Sequence, residues 1–516
     1  MPNGKKKIYD PKFLGGTFRT TLLFVLFIEL LSFFTHWMKI VVDFSSIIYI
    51  LLVGLVFVLS LKDLRYGVFI AMGELFIGSQ GHYFDLELGG FLLSIRIGIF
   101  IAVMTAWLYR LFAKKLFKET LSLLKNNKTL IALAIISLWG LVFALIRGVS
   151  PKEIFLDFNA WLYFLYFFPF LSVIASRKDL NHVWQIFTAS IVAISIKSLF
   201  FLYIFSHQIP RMMKYLYLWG RDTRWGEFTL IQDGFFRIFS QSQIFVIIGA
   251  FILLGYLIFK GRLDYKEKEN RYLSLILLFS TATTVLSLSR SFWLAFIVTS
   301  VALLGFGLFV YRFNLRDIVA SFVRIALLGL ISIILIVGVI NFPFPNIENN
   351  LSGNVISERL ALSGAAISSR WSQLPNLTNE ILKYPMLGSG WGTSVTYQSQ
   401  DPRILTLDNP EGWYTTSAFE WGYLDIILKI GIVGLFIYLA VIFNLYKQLW
   451  VFGKKNKDRF SNALLTGLSL GLFSLLIIHG FTPYLNHPLG IGFLLIIFVT
   501  LKVLYKHQPK LDPTKA

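Results

Sequence analysis

Three charged side chains set against long apolar runs are the best candidates for chemistry in this sequence: Arg290, Arg370 and Glu420. Arg290 stands between two apolar stretches of membrane length with almost no loop between them, so its guanidinium is expected at a bilayer boundary. An ionisable group there is first a functional candidate, with an arginine snorkelling to headgroups as the competing reading. Arg370 follows Ser368-Ser369 at the start of an expected helix, Arg370 to Leu382, where a solvated helical arginine is the alternative. Glu420 lies between Phe419 and Trp421 at the head of an apolar run. Desolvation there is expected to raise a carboxylate pKa and suit a general base. The helix macrodipole alone also favours an acid in a first turn.

A second polar region, 206–237, carries Arg211, Lys214, Arg221, Arg224 and Arg237 against Asp222, Glu227 and Asp233. On an external face, such cations fit a diphosphate, whose oxygens take paired, charge-assisted hydrogen bonds from guanidinium groups. Contact with anionic lipid headgroups, plus pairing with the local acids, is the competing reading. His479 and His487 flank the turn Phe481 to Asn486, near enough to join an external site. No cluster has the His-Glu-x-x-His spacing of a metal site, so neither metal nor cofactor is expected.

The elements that must position these groups are membrane helices. Of 516 residues, 56% are hydrophobic and only 15% charged, and mean hydropathy is +0.68, far from the balance of a soluble protein. With about 20 apolar residues needed per crossing, the sequence reads as an all-α polytopic membrane protein with about 14 crossings. A net charge of +20 raises the question of nucleic acid, but the Lys and Arg sit in short loops between apolar runs, as the positive-inside rule requires. Segments 110–128, 260–271 and 447–459 hold six, five and five basic residues. That parity puts both termini in the cytoplasm and, outside, the 79-residue interval 342–420, which has seven acidic and four basic side chains. The expected organisation is an N-terminal membrane region, 1–341, with an external loop at 206–237, then a large external loop, 342–420, and a C-terminal membrane region, 421–516. Cysteine is absent, which excludes disulfides and thiolate metal sites. The N-terminus reads as leading into a retained first helix.

At the loop's C-terminal edge, Glu420-Trp421 is followed after nine residues by Gly431-Ile432-Val433-Gly434. This resembles the O-antigen ligase and polymerase family, which has a His-Asn or similar pair at a helix mouth and then Gly-x-x-Gly. Here Glu420 and Trp421 occupy the pair. Arg290 to Leu294 is similar to the family's Arg-x-x-x-Leu motif, Arg370 to its loop arginine some fifty residues before the pair, and Tyr384 to Gly392 to its Pro-x-x-Gly-x-Gly turn. The resemblance spans Thr281 to about Ala440.

It implies a metal-independent glycosyltransferase of the cytoplasmic (inner) membrane in surface polysaccharide biosynthesis, as in lipopolysaccharide assembly. Its partners are expected to be an undecaprenyl-diphosphate-linked oligosaccharide, a glycan or lipid acceptor and the bilayer, with no nucleic acid. Glu420 takes the base position, Arg290 and Arg370 neutralise the departing diphosphate, and Arg211, Arg221, Arg224 and His487 are candidates for diphosphate or glycan binding. Trp391, Tyr397 and Trp413 are candidates for stacking on sugar rings. The missing histidine weakens a ligase assignment more than a polymerase one. A polysaccharide flippase or other multi-pass transporter is the alternative, against which stand the long external loop and the unrepeated pattern.

Overall fold

The computed structural model describes residues 9–38, 44–125, 127–231, 235–259, 268–309, 315–343, 365–400, 404–406, 408–455 and 459–506. Each apolar run forms a helix: α1 (Gly16–Met38), α2 (Phe44–Lys62), α3 (Leu64–Ile77), α4 (Ile95–Ala113), then α5 (Phe117–Lys125) and α6 (Lys128–Ile146). A composite span follows, made of α7 (Pro151–Phe158), a 3-10 segment (Asn159–Tyr166) and α8 (Phe167–Val173). Next come α9 (Arg177–Ser206), α10 (Pro210–Asp222), α11 (Gln243–Phe259), α12 (Lys268–Leu286), α13 (Arg290–Phe309) and α14 (Leu315–Asn341). The large loop contributes α15 (Ala365–Lys383), and the chain finishes with α16 (Gly422–Lys455), α17 (Arg459–His479) and α18 (Pro488–Lys506).

Among the described residues, ten helices are long and apolar enough to cross a membrane, and two shorter apolar ones accompany them. The protein is a multi-pass, mostly helical membrane protein. α3 is apolar, but its 14 residues fall short of a bilayer. Phe91 to Ser94, which leads into α4, is a strand paired with Asp85–Leu88.

α18 is buried along nearly its whole length and α9 and α17 over most of theirs, whereas α1, α2 and α14 leave most of their surface exposed. The three buried helices, with α11, which is buried from Gln243 to Leu257, are therefore the centre of the bundle. Lipid tails are as apolar as leucine, so close packing rather than burial must hold such helices together. At the α11–α17 crossing a Cβ on Gly467 would lie 2.6 Å from the Ile252 Cα, so the two backbones meet where no side chain intervenes.

Among the described residues, three two-stranded antiparallel hairpins lie between helices: β1–β2 (Asp85–Leu88, Phe91–Ser94), β3–β4 (Glu227–Leu230, Phe236–Phe239) and β5–β6 (Val395–Gln398, Trp413–Thr416). The last belongs to the large loop and packs beside α15, where Ser372 Oγ and Asn376 Nδ2 donate to the Gln398 and Thr396 carbonyls. Leu377, Ile381, Val395, Phe419 and Leu428 form a small apolar cluster that seats α15 on the head of α16.

Candidate functional site

Seating α15 on α16 brings Arg370 to Glu420. The two side chains form an ion pair, and the Trp421 indole donates to the Arg370 carbonyl at 3.1 Å. Arg290 is the first residue of α13, where the positive end of the helix dipole disfavours a cation, and it lies within electrostatic reach of Arg370. Burial lowers the Arg370 pKa most, the Arg290 charge lowers it further, and Glu227 on β3 works in the opposite direction. Glu227 also pairs with Arg237 on β4 at 3.5 Å, and the Arg237 Nε–H donates to the Ser287 carbonyl just before α13. Arg290, Arg370 and Glu420, more than a hundred residues apart in sequence at the extremes, thus share one end of the bundle with Glu227 and Arg237.

The surroundings of Glu420 differ from those expected. It is 53% exposed and ion-paired, rather than desolvated between its aromatic neighbours, because the Trp421 side chain turns away to Trp371 and the Arg370 carbonyl.

Other candidates are placed elsewhere. Arg211, Arg221 and Arg224 are exposed on or just after α10. Arg224 approaches His82 at 3.5 Å and Asp222 faces His36, so this end of α10 is turned to α1 and the 78–85 segment. His487 lies at the start of α18, where its Nδ1 accepts from the Leu489 N–H at 3.5 Å; burial first, and the Arg96 charge second, lower its pKa to about 3, so it is neutral.

The expectation that Trp391 stacks on a sugar is corrected by its position. It is 2% exposed, packed edge-on against Trp161 and Phe158, with its indole donating to the Ser137 carbonyl of α6 at 2.9 Å, so neither ring face is open. Tyr397 is likewise buried, while Trp413 is half exposed.

Trp391 is buried because segment 384–393, read from sequence as external loop, enters the bundle between α6 and α16. There α16 is interrupted at Gly431, with φ 73° and ψ 177°. The carbonyls of Leu428 and Lys429 accept from the Ser389 and Gly390 amides, and the Ile432 and Val433 amides donate to Pro385 and Met386. Irregular backbone at this depth is tolerated only where protein satisfies it, as here. A Cβ on Gly431 would lie 2.1 Å from the Met386 carbonyl oxygen, so the first glycine of Gly-x-x-Gly is required by the entering segment.

The residues that lock this segment were not anticipated. Lys429, 1% exposed, contacts Asp157 Oδ2 at 2.6 Å and donates to the Thr393 and Ser417 carbonyls. Asp157 in turn accepts from the Gly392 amide at 2.6 Å. Arg147 reaches Glu380 at 3.2 Å and the Ser389 carbonyl at 2.8 Å. The signal available in the sequence was a lone charge inside an apolar run, at Asp157, Asp425 and Lys429. Among the described residues no group of acidic or histidine side chains could hold a metal ion.

Comparison with known proteins bears on the same region. Residues 273–439 match the family model described as O-antigen ligase. A stretch of 161 residues, 31% of this chain, is 27% identical to a protein of Rickettsia conorii (strain ATCC VR-613 / Malish 7) named provisionally as a polysaccharide ligase. The match spans 38% of that relative's length. The family match covers the residues that carry the resemblance: Arg290, Arg370, the Pro-x-x-Gly-x-Gly turn and the Gly-x-x-Gly pair.

Proposed function

From an O-antigen ligase domain at residues 273–439 as premise, we propose that this protein transfers a glycan from a polyprenyl diphosphate carrier to a hydroxyl acceptor at the outer face of the cytoplasmic membrane. The observation that carries the reading is that Arg290 and Arg370, from α13 and α15, lie within electrostatic reach of one another at one end of the bundle. Two like charges held in mutual reach favour an anionic ligand, and a diphosphate accepts paired hydrogen bonds from both.

In this reading the acceptor oxygen attacks the anomeric carbon and the bond to the diphosphate breaks. The diphosphate departs with the electron pair while the two guanidinium groups stabilise its growing charge. Glu420 serves as the internal counter-ion of Arg370 and is displaced when diphosphate enters. Arg237 lies near enough to contribute, whereas the α10 arginines fit a role in steering the anionic headgroup from the membrane surface. The acceptor is a lipid core for a ligase and a second carrier-linked repeat for a polymerase.

Deleting the gene and displaying surface glycans on a gel tests this reading. Loss of long glycan, restored by the wild-type gene but not by Arg290→Gln or Arg370→Gln, is the expected result. An unchanged profile, or carrier-linked precursor retained on the inner leaflet, contradicts it.

A further inference from the structure

Transfer needs a group to take the acceptor hydroxyl's proton, and Glu420 is engaged by Arg370. Five residues on, in the first turn of α16, is a second carboxylate. Asp425 is 7% exposed, and its Oδ2 accepts from Asn486 Nδ2 at 2.6 Å. Its Oδ1 is buried and has no hydrogen-bond partner among the described residues, and the same holds for Asn486 Oδ1. A hydrogen-bonded Asp–Asn pair therefore presents two acceptor oxygens and lacks a donor. A hydroxyl supplies one.

The pair also lies between the elements that carry the cations. The Asp425 amide donates to the Trp421 carbonyl, and the Trp421 indole donates to the Arg370 carbonyl. On the other side, Asn486 ends a 3-10 turn begun by Tyr484, whose ring packs against Phe292, two residues into the helix that Arg290 starts. The ionisable neighbours are Lys429 on the same helix face, with Asp157 paired to it, and Tyr423 and His479. Leu485 N–H donates to His479 Nδ1, which puts the imidazole proton on Nε2.

Resting on the transferase reading, we propose that Asp425, oriented by Asn486, is the residue that accepts the proton of the acceptor hydroxyl. The O–H proton passes to Asp425 Oδ1 as the oxygen bonds to the anomeric carbon. The carbon–oxygen bond to the diphosphate breaks, and its electron pair leaves with the diphosphate between Arg290 and Arg370. Asn486 is a positioning residue: it holds one carboxylate oxygen so that the other faces the hydroxyl.

The test uses full-length protein, with undecaprenyl diphosphate as the binding probe and transfer followed in membrane vesicles of a deletion strain from pH 5 to 8. Asp425→Asn is expected to lower transfer at least 100-fold, and by more than Glu420→Gln, while probe affinity stays within twofold. Asp425→Glu retains measurable transfer, and Asn486→Ala moves the acid limb of the pH profile, an effect that a purely structural role for the pair does not produce. Transfer by Asp425→Asn within threefold of wild type overturns the proposal, as does an unmoved acid limb in Asn486→Ala if Asp425→Asn fails to accumulate. A wild-type protein that neither binds the probe nor changes surface glycans overturns the transferase reading as well. Binding and transfer by wild type and Asp425→Asn alike overturn only the role given to Asp425.

Discussion

Replacing Lys429 by methionine tests whether the entering segment 384–393 is held electrostatically. The ammonium is 1% exposed and lies within 3.1 Å of three oxygens, on Asp157, Thr393 and Ser417. Lys429→Met keeps the apolar stem and removes the charge, leaving the Asp157 carboxylate with the Gly392 amide. Breaking one side of a buried ion pair costs about 3–5 kcal/mol, because the remaining charge is uncompensated. The remaining charge can be removed too: in Lys429→Met/Asp157→Asn the amide oxygen still accepts from Gly392, so the double variant is expected to recover at least about 1.5 kcal/mol relative to additivity. Chemical unfolding of the four proteins in bicelles measures both quantities. A Lys429→Met protein within about 1 kcal/mol of wild type, or a strictly additive cycle, refutes the reasoning.

Gly431→Ala is expected to destabilise by at least about 2 kcal/mol, since φ 73° and a Met386 oxygen 2.1 Å from the new Cβ both oppose it; the same unfolding assay measures it, and a neutral result contradicts the helix break. Trp391→Ala costs about 3–5 kcal/mol as a core truncation, while Trp391→Phe leaves undecaprenyl diphosphate affinity within twofold. A selective loss of glycan binding in Trp391→Phe, without a stability change, reverses that assignment. Burial holds His487 near pKa 3, against about 6.5 in the unfolded chain, so the unfolded chain binds the extra proton between those values. The contribution is whole above pH 6.5 and falls by on the order of 3 kcal/mol as pH drops towards 3. Melting curves from pH 7 to 4 should therefore fall more steeply for wild type than for His487→Gln, and parallel curves contradict the lowered pKa.

Hydropathy alone made the helices legible, because a bilayer demands long apolar runs whatever the topology. It did not make their lengths legible: α3 is as apolar as α4 yet stops at Ile77, where the chain turns towards β1. Arg290, Arg370 and Glu420 could be singled out because each breaks a local rule, a charge beside apolar residues or a cation at a helix start. Their neighbours were less visible, since Glu227 and Arg237 look like ordinary hairpin charges until β3–β4 folds against α13. The entry of segment 384–393 was hidden for another reason: its glycines and proline read as turn residues, and only the partner backbone at Leu428 to Val433 reveals that the turn is buried. Trp391 was misread in consequence, an aromatic in an apparent loop being indistinguishable by sequence from one in a core.

The central claim is that Arg290 and Arg370 form one anion site, and a double-mutant cycle on undecaprenyl diphosphate affinity addresses it most directly. Arg290→Gln and Arg370→Gln are each expected to weaken binding by the purified full-length protein at least about tenfold, and the double variant by clearly less than the product, because both guanidinium groups grip one ligand. Losses that simply multiply, or single variants that bind within twofold of wild type, contradict a shared site.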